Sequence, residues 1–313
     1  MKHKVFIDGS EGTTGLQIHE RLSARRDIEL LRIESHSRKD KEVRKRFLNE
    51  ADMVFLCLPD DAAREAVSLI ENEKVRVIDA STAHRTIWTY GFPELSPQHR
   101  EAIKTARRVA NPGCHASGFI AAVYPLRAAG LLPGEAMLSC FSITGYSGGG
   151  KKMISDYEAA DRNELMASPQ SYATAQNHKH LPEIARLCDL EALPVFCPVI
   201  SDIYSGMAVT VPLHSAQLRG NPGADEIFEM LSRHYENQRF ISVSRSGESD
   251  KIAATTLCGT NNMVLFVGGN SERITITAVF DNLGKGASGA AVQNMNLMLS
   301  LPEGAGLDKG ESA

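Results

Sequence analysis

Residues 111–118, NPGCHASG, place a cysteine between a proline-glycine corner and an apolar stretch with helical spacing. We expect Asn111-Pro112-Gly113 to form a sharp turn and Cys114 to lie in the first turn of the following helix. Amide N–H groups and partial positive charge at a helix start stabilise a thiolate, which makes such a cysteine a nucleophile. The alternative is a small buried residue that packs the helix start. We assign that packing role to the other cysteines, which lie within strand or helix patterns: Cys57, Cys140, Cys188, Cys197 and Cys258.

A second group of chemistry-bearing residues lies in HKHLPEI, residues 178–184. A thiolate that attacks a carbonyl needs a group that moves a proton near neutral pH, and histidine has a suitable pKa. We expect His178 and His180 to share one face of an extended segment. Glu183 opens the next predicted helix, where its carboxylate could orient an imidazole. The two histidines could also bind a metal, but no third soft ligand stands nearby in the sequence, so we predict no metal site.

A third group follows the first predicted strand, in GSEGTTG, residues 9–15. Its glycines form a GxxGxxG variant of the turn through which a backbone approaches the pyrophosphate of a dinucleotide. Glycines also make ordinary tight turns, but this triplet lies between a buried-strand pattern and an amphipathic helix, as a dinucleotide site requires. We therefore expect cofactor contacts from Gly9, Ser10, Gly12, Thr13, Thr14 and Gly15.

The end of the second predicted strand bears on which nicotinamide dinucleotide binds. An NAD site usually places an acidic residue there, whereas an NADP site prefers hydroxyls and cations around the extra phosphate. Ser37, Arg38 and Lys39 favour NADP, and we predict that they contact that phosphate. Glu34 would favour NAD if its carboxylate pointed into the site. The remaining alternative is that this charged segment is a solvated loop.

The predicted elements around these residues begin with a region of alternating apolar runs and amphipathic segments, which is typical of βαβ units on a parallel sheet. Strands are predicted at 4–8, 28–33, 52–58, 75–80 and 107–111. Helical spacing occupies the intervening TTGLQIHERLSA, KEVRKRFLNE and DAAREAVSLIENE. This is a Rossmann-like, doubly wound pattern, in which ligands bind beyond the carboxyl ends of the strands. Cys114, directly after the last of these strands, is therefore expected to face the cofactor.

From about residue 134 the pattern changes to longer strand-like runs. Strands are predicted at 136–147, 193–200, 205–214, 262–269 and 273–282. Because few helices separate them, we predict an α+β domain with a mixed, largely antiparallel sheet. A last helix is predicted at 286–301, before a polar, glycine-rich tail.

Length and composition narrow the possible classes of protein. A chain of 313 residues is long enough for two domains, since single cores stop growing near ~250 residues. The formal net charge of −4 does not indicate a basic surface that would bind nucleic acid or an anionic membrane. No apolar run approaches the ~20 residues of a membrane span, and MKHKVFIDG passes directly into a strand pattern rather than a signal peptide. The six scattered cysteines indicate free thiols. We therefore expect a cytoplasmic protein without nucleic-acid or membrane partners.

Together these segments resemble the N-acetyl-gamma-glutamyl-phosphate reductase family, in the shorter of its two sequence types, whose plan the aspartate-semialdehyde dehydrogenases share. The resemblance covers almost the whole chain and rests on segments that occur in this order: GSEGTTG (9–15), DASTAHR (79–85), YGFPEL (90–95), NPGC (111–114), GYSGGGKK (145–152), HKHLPEI (178–184) and DNLGKGASGAAVQNMN (281–296). It implies a Rossmann-like NADP-binding domain at 1–113 with 286–313, and a catalytic and dimerisation α+β domain at 114–285.

The resemblance also implies roles for individual residues. Cys114 matches the nucleophile and His180 the general acid/base, with Glu183 as its partner and His178 lining the pocket. The segment at 281–296 resembles one that closes over the nicotinamide, which places these residues near that ring: Asn282, Gly284, Lys285, Gly286 and Asn294. Contacts to the acyl phosphate are assigned to Arg85, Asn111, Ser147 and Lys151 or Lys152. The alternative for these cations is a role as surface charges.

The implied activity is the NADPH-dependent reduction of N-acetyl-L-glutamyl 5-phosphate to N-acetyl-L-glutamate 5-semialdehyde and phosphate, the reductive step of arginine biosynthesis, through a thioester on Cys114. A homodimer or homotetramer is expected. Three alternatives stay open. The first is the same chemistry on aspartyl phosphate or another protected glutamyl phosphate, and the second is a non-catalytic NADP-binding sensor or scaffold. The third is a cysteine hydrolase, which would leave the glycine turn unexplained.

Overall fold

The computed structural model describes residues 2–38, 40–247 and 251–307. Contacts within the chain divide it into two compact units. The first unit combines the residues up to Pro112 with those from Ala287 onward, and the second unit is Gly113–Gly286. The roles predicted for the two domains remain predictions at this point.

The first unit is built on a parallel sheet. Its strands are β1 (His3–Asp8), β2 (Ile28–Leu31), β3 (Met53–Leu56), β4 (Arg76–Asp79), β5 (Thr89–Tyr90) and β6 (Arg108–Ala110). The helices between them are α1 (Thr13–Ser23), α2 (Lys41–Glu50), α3 (Asp60–Ser68) and α4 (Pro97–Thr105). The six strands pair in the order β2-β1-β3-β4-β6-β5, and every pair is parallel. The predicted Rossmann-like sheet is confirmed, and β5 and α4 are additions to it.

Local sequence explains where these elements begin. All four residues of β3 are buried, as expected for a central strand that is covered on both faces. The carboxylate of Asp40 accepts hydrogen bonds from the N–H groups of Glu42 and Val43, which caps α2. Ser96 caps α4 in the same way, through the N–H of His99, and the proline that follows Ser96 is well suited to a first helical position.

The second unit contains a mixed sheet. Its strands are β7 (Ser139–Gly145), β8 (Gln170–Ser171), β9 (Val195–Ser201), β10 (Met207–His214), β11 (Ile241–Arg245), β12 (Met263–Gly269) and β13 (Arg273–Phe280). Its helices are α5 (Cys114–Ala128), α6 (Gly150–Glu158), α7 (Leu181–Leu187) and α8 (Ala224–His234). The seven strands pair in the order β11-β12-β13-β10-β7-β9-β8. Only β11–β12 and β7–β9 are parallel among these pairs, so the predicted mixed, largely antiparallel sheet is confirmed.

Helix α5 lies against this sheet and is apolar on almost every side, as a buried helix should be. A Cβ atom at Gly118 would lie 2.6 Å from the side chain of Val209 in β10. The glycine therefore allows α5 to approach β10 closely. This packing sets the distance between α5 and the sheet, and therefore the position of Cys114 at the start of the helix.

The chain returns to the first unit through a π-helical turn (Gly284–Ser288) and α9 (Gly289–Met298), which contacts α1, α4 and β4. All of α9 is buried. The helix begins later than the predicted position 286, because the chain first winds through the wider turn. Among the described residues, no helix combines the length and apolar character needed to cross a membrane.

Candidate active site

Cys114 is the first residue of α5, a helix of 15 residues, and its side chain is half-buried. Gly113 precedes it in an extended conformation, and its carbonyl accepts the N–H of Ser117, which closes the first helical turn. The thiol therefore lies at the positive end of a long helix, where backbone N–H groups are available to a negative charge.

The segment 281–286 passes directly beside this cysteine. A Cβ atom at Gly286 would lie only 3.0 Å from Cys114 Cβ. The buried carboxylate of Asp281 shapes the segment, because it accepts hydrogen bonds from the N–H groups of Leu283 and Gly284 at 2.8 and 3.2 Å. A Cβ at Gly284 would collide with the carbonyl oxygen of Thr260. Close packing thus requires glycine at position 284, and at position 286 a side chain would crowd Cys114.

The prediction of an extended segment at His178–His180 is wrong, because these residues form a turn. The N–H of Leu181 donates to the carbonyl of His178 at 3.0 Å, and the N–H of His180 donates to His178 Nδ1 at 3.2 Å. These two bonds close the chain on itself just before α7. The two imidazole rings consequently meet edge to face, 4.7 Å apart, instead of lying side by side.

His115 is a further histidine at this site that sequence inspection missed. It is buried, its Nδ1 lies 2.6 Å from Ser142 Oγ, and its Nε2 lies 2.7 Å from Tyr172 Oη. Its ring lies 5.4 Å from that of His178 and 5.6 Å from that of His180. Burial lowers the pKa of His115 to about 3, and the neighbouring His178 adds to the shift. The only available signal was a polar side chain at the start of an otherwise apolar helix.

Glu183 lies in the first turn of α7 and is buried. Its Oε2 accepts a hydrogen bond from the N–H of Gly113 at 3.1 Å. The carboxylate therefore connects α7 to the residue that immediately precedes Cys114. This contact gives Glu183 a role in holding the start of α5, and its role as partner of an imidazole stays a prediction.

Of the other residues predicted for the site in the second unit, some are buried and some are exposed. Ser147 and Asn282 are buried together, with Asn282 Nδ2 donating to Ser147 Oγ at 3.0 Å and Asn282 Oδ1 accepting the Gly206 N–H at 2.8 Å. Lys285 is buried, and its ammonium lies 5.9 Å from the ring centroid of Phe240. The two lysines at the start of α6 are exposed: Lys151 and Lys152.

In the first unit, the glycine turn connects β1 to α1. Gly9 has φ +86°, in the left-handed region, and a Cβ there would collide with the carbonyl oxygen of Cys57. A Cβ at Gly15 would collide with the carbonyl oxygen of Gly9. Gly12 is the residue before α1, which begins with Thr13 and Thr14. The turn therefore exposes its backbone to a ligand at the start of α1. Ser10 is part of this turn.

A cavity of about 800 Å³ opens beside this turn. Its walls come from the glycine turn, the end of β2 and the segment after β3, and include Arg38 and Arg44. Arg38 forms an ion pair with Glu11, and Arg44 Nη2 lies 2.9 Å from Asp8 Oδ2. Ser37, which was also predicted to contact the phosphate, is not among the described residues that line the cavity. Lys39, the third predicted phosphate contact, lies outside the described residues.

Glu34, which could have favoured NAD, points to solvent. Its side chain is 82% exposed and lies 3.5 Å from the exposed ring of His36. The cavity wall therefore carries arginines but not this carboxylate. Asp8 and Glu11 also line the cavity, paired with Arg44 and Arg38. A wall that lacks Glu34 and has a cation able to exchange partners favours a cofactor with an added phosphate.

Arg85, Asn111 and Asn294 share one network in the first unit. Arg85 is buried and donates from Nε to the carbonyl of Asn111 at 3.0 Å and from Nη2 to that of Ala80 at 3.3 Å. Asn111 Nδ2 donates to the carbonyl of Ala287 at 2.9 Å, and Asn294 Nδ2 lies 3.4 Å from Asn111 Oδ1. These side chains hold the backbone just before Pro112.

The described part of the chain contains no group of three or more histidine, cysteine or carboxylate side chains arranged to hold a metal ion. The side chains considered above for the cysteine site are a thiol, three imidazoles, a phenol and the buried carboxylate of Glu183. Such a set can form and break a covalent bond at sulfur and move protons around it.

Comparisons with known proteins identify the family of each unit. Residues 4–106 match the semialdehyde dehydrogenase NAD binding domain, and residues 114–282 match the semialdehyde dehydrogenase dimerisation domain. Aspartate semialdehyde dehydrogenase II of Vibrio cholerae, solved with ASA, is 18% identical with a TM-score of 0.73 over 96% of this chain and 99% of its own. The Candida albicans enzyme, solved with NADP, has a TM-score of 0.65 at 14% identity over the same shares. These structures share the fold.

Two relatives are much more similar in sequence. An N-acetyl-gamma-glutamyl-phosphate reductase of Brucella canis is 47% identical over 96% of this chain and 99% of its own. N-acetyl-gamma-glutamyl-phosphate reductase 2 of Nostoc sp. is 44% identical over 98% of this chain and 99% of its own. With this identity along nearly the full length of both sequences, the chain belongs to the N-acetyl-gamma-glutamyl-phosphate reductase family.

Proposed function

We propose that the protein catalyses the NADPH-dependent reduction of N-acetyl-L-glutamyl 5-phosphate to N-acetyl-L-glutamate 5-semialdehyde and phosphate, a step of arginine biosynthesis. The observation that carries this proposal is a half-buried thiol at the first position of α5, where the next residue, His115, packs against His178 and His180, in a chain 47% identical to a reductase of that name. In this proposal the first unit binds the cofactor and the second unit holds the covalent intermediate.

The reaction begins at Cys114. Its thiolate attacks the acyl carbonyl carbon, the bond from that carbon to the phosphate oxygen breaks, and inorganic phosphate leaves. The product of this step is a thioester on Sγ. Backbone N–H groups at the start of α5 are suited to stabilise the oxyanion that forms during the attack, a contribution of about 3–4 kcal/mol where one such donor has been removed in other enzymes.

The residues of the first unit fit a dinucleotide. Gly9 and Gly15 occupy positions that no side chain could share, and the cavity beside them measures about 800 Å³. We assign the pyrophosphate to the turn and the start of α1, and the 2′-phosphate of NADP to Arg38, whose ion pair with Glu11 must then open. When bound, NADPH supplies the hydride that reduces the thioester carbonyl.

His180 handles the proton of the reduced adduct. It donates a proton to the oxyanion that hydride addition leaves, and it takes the same proton back from the hydroxyl group of the thiohemiacetal as the carbon–sulfur bond breaks, so that the aldehyde leaves and the Cys114 thiolate returns. His178, whose ring touches that of His180, lines the same site. Glu183 keeps the start of α5 in place through its bond to Gly113.

Contacts to the phosphate are the finer part of the proposal. Lys151 and Lys152 are exposed at the start of α6, where a cation can meet a leaving phosphate. Ser147 is held by Asn282 and belongs to the same segment. Arg85 donates to two backbone carbonyls, so we propose that it acts by holding Asn111.

Reverse turnover tests the proposal. N-acetylglutamate 5-semialdehyde, phosphate and either NADP or NAD are supplied in parallel, and we expect phosphate-dependent reduction of NADP. Cys114→Ala should abolish this turnover while NADPH still binds. Turnover retained in Cys114→Ala would contradict the covalent scheme. If aspartate semialdehyde were the only aldehyde turned over, the proposed substrate would be wrong and aspartyl phosphate would take its place.

We also propose that the enzyme works as a homodimer or homotetramer. Three large apolar side chains are exposed on one face of the adjoining strands β7 and β9: Phe141, Ile143 and Val195. Phe141 is 57% and Val195 53% exposed, which is typical of a surface that another protein covers. Sedimentation of the wild type against Phe141→Lys tests this, since the charged variant should dissociate. The cytoplasmic location stays a prediction from the sequence.

A further inference from the structure

His115 has no part in the chemistry proposed above, although it follows Cys114 directly in the chain. Both of its ring nitrogens have short hydrogen bonds to hydroxyl groups, 2.6 Å to Ser142 Oγ and 2.7 Å to Tyr172 Oη. Ser142 lies in β7 and is fully buried, whereas Tyr172 lies just beyond β8 and is half-buried. A buried imidazole thus connects the interior of the sheet to a phenol at the site.

The ring of His115 is neutral wherever the enzyme works, because burial lowers its pKa to about 3. A neutral imidazole carries one proton, so one nitrogen donates and the other accepts. The serine, the imidazole and the phenol therefore form a chain of hydrogen bonds with one direction. In one direction the phenol O–H donates a hydrogen bond to the imidazole. In the other direction the phenol oxygen accepts a hydrogen bond from the imidazole, and its own O–H can point elsewhere.

The Cys114 thiolate selects between these directions. Burial raises the pKa of Tyr172, and the charge of Cys114 raises it further, so the phenol keeps its proton and lies within the field of the sulfur. If Tyr172 donated to His115 Nε2, the lone pairs of its oxygen would face the thiolate. The opposite direction presents a proton to the negative charge, which lowers the energy of the thiolate.

We propose that Tyr172 donates a hydrogen bond to the Cys114 thiolate and that His115 and Ser142 are positioning residues that aim its proton. Ser142 Oγ–H donates to Nδ1, Nε2–H donates to Tyr172 Oη, and the phenol proton is left for Sγ. This inference rests on the proposed role of Cys114 as nucleophile. It adds a donor to the one provided by the start of α5.

Other titratable groups belong to the segments packed near α5 and the Ser142–His115–Tyr172 chain, and the experiment must separate their effects. They lie in the turn before α7, in the first turn of α7 and next to Gly286: His178, Lys179, His180, Glu183 and Lys285. Each can change the pKa of the thiol through its charge. None of them is altered when a single oxygen atom is removed from Tyr172.

The experiment measures the pKa of Cys114 by alkylation. Full-length enzyme reacts with iodoacetamide from about pH 5 to about pH 10, and mass spectrometry follows the Cys114 peptide. In Tyr172→Phe the midpoint of the Cys114 profile should rise by about one pH unit, the size expected for losing one hydrogen bond to a charged group. Tyr204→Phe removes an exposed phenol oxygen from the same unit and should leave the midpoint unchanged.

Two variants of His115 separate positioning from packing. In His115→Gln the amide N–H can replace Nε2–H as a donor to Tyr172, so the midpoint should stay near the wild-type value. His115→Leu removes the donor and should raise the midpoint as much as Tyr172→Phe does. The double variant Tyr172→Phe/His115→Leu should show no further rise, because both changes remove one interaction.

The outcomes distinguish this inference from the proposed function. An unchanged midpoint in Tyr172→Phe, with Cys114 reactive in the wild type, overturns the inference and leaves the proposed function intact. A rise in His115→Leu without one in Tyr172→Phe also overturns it. A wild-type Cys114 that resists alkylation at every pH overturns the proposed function instead.

Discussion

The glycine turn of the first unit and the cysteine site of the second are assembled in different ways. The turn is one contiguous segment, residues 9–15, and its geometry depends on the missing side chains of Gly9 and Gly15. The cysteine site joins segments far apart in the chain, since His115 bonds to residues 27 and 57 positions away. The first site is therefore fixed by sterics within a loop, and the second by hydrogen bonds between elements.

The largest expected effect comes from the sulfur itself. Cys114→Ser keeps the shape of the side chain but replaces the thiolate with a poorly ionised hydroxyl, so kcat should fall roughly a thousandfold or more. The dissociation constant of NADPH, measured by fluorescence, should change little. Cys197→Ser, at a half-buried thiol on β9, is the matched control and should keep wild-type turnover. Equal losses in both variants would mean that thiol chemistry is not specific to Cys114.

Substitution in the glycine turn should break the first site and spare the second. Gly9→Ala places a Cβ against the Cys57 carbonyl at a φ of +86°, so NADPH affinity should fall at least about tenfold and the free energy of unfolding by about 1–3 kcal/mol. Cys114 should still react with iodoacetamide as in the wild type. In Gly12→Ala the nearest atom to the new Cβ is 3.5 Å away, so stability should change by less than about 0.5 kcal/mol. Equal destabilisation by both alanines would refute the steric argument.

Glu183 tests whether the second site depends on bonds between elements. Glu183→Ala leaves the buried N–H of Gly113 without its acceptor, which should lower the free energy of unfolding by about 1–3 kcal/mol. The start of α5 should also shift, with a loss of kcat. Glu183→Gln keeps an acceptor oxygen and should retain most of the stability in urea unfolding. If glutamine were as damaging as alanine, the charge of Glu183 would matter more than its bond to Gly113.

The same contrast explains how much could be predicted from the sequence. The parallel sheet, the glycine turn and the helix that starts at Cys114 were predictable, because apolar periodicity and turn residues are local signals. Strands β5 and β8 contain two residues each, which is too short for any alternation to appear. The late start of α9 was equally invisible, since nothing in GASGAAVQ distinguishes a π-helical turn from an α-helical one.

The cysteine site could be predicted only in part. Residue type and spacing were enough to propose Cys114 and His180 as candidates, but the turn at His178–His180 depends on a bond from backbone to ring that periodicity does not reveal. His115 was missed because its partners come from β7 and from the segment after β8. Pairing between distant segments is set by the folded sheet, so the sequence around residue 115 contains no trace of it.

A pH dependence of stability that belongs to His115 gives a further test. Its pKa is about 3 in the folded protein and about 6.5 when unfolded, so between these values the unfolded chain binds more protons. Stability from this group is therefore complete above about pH 6.5 and falls by about 1.4 kcal/mol for each pH unit below it. His115→Gln removes the titrating group, so urea unfolding of this variant between about pH 6.5 and pH 4.5 should show a slope smaller by that amount. Carboxylates titrate in the same range in both proteins, and the difference between the two slopes cancels them. Identical slopes would mean that His115 becomes protonated in the folded state, and the directed chain from Ser142 to Tyr172 would then lose its basis.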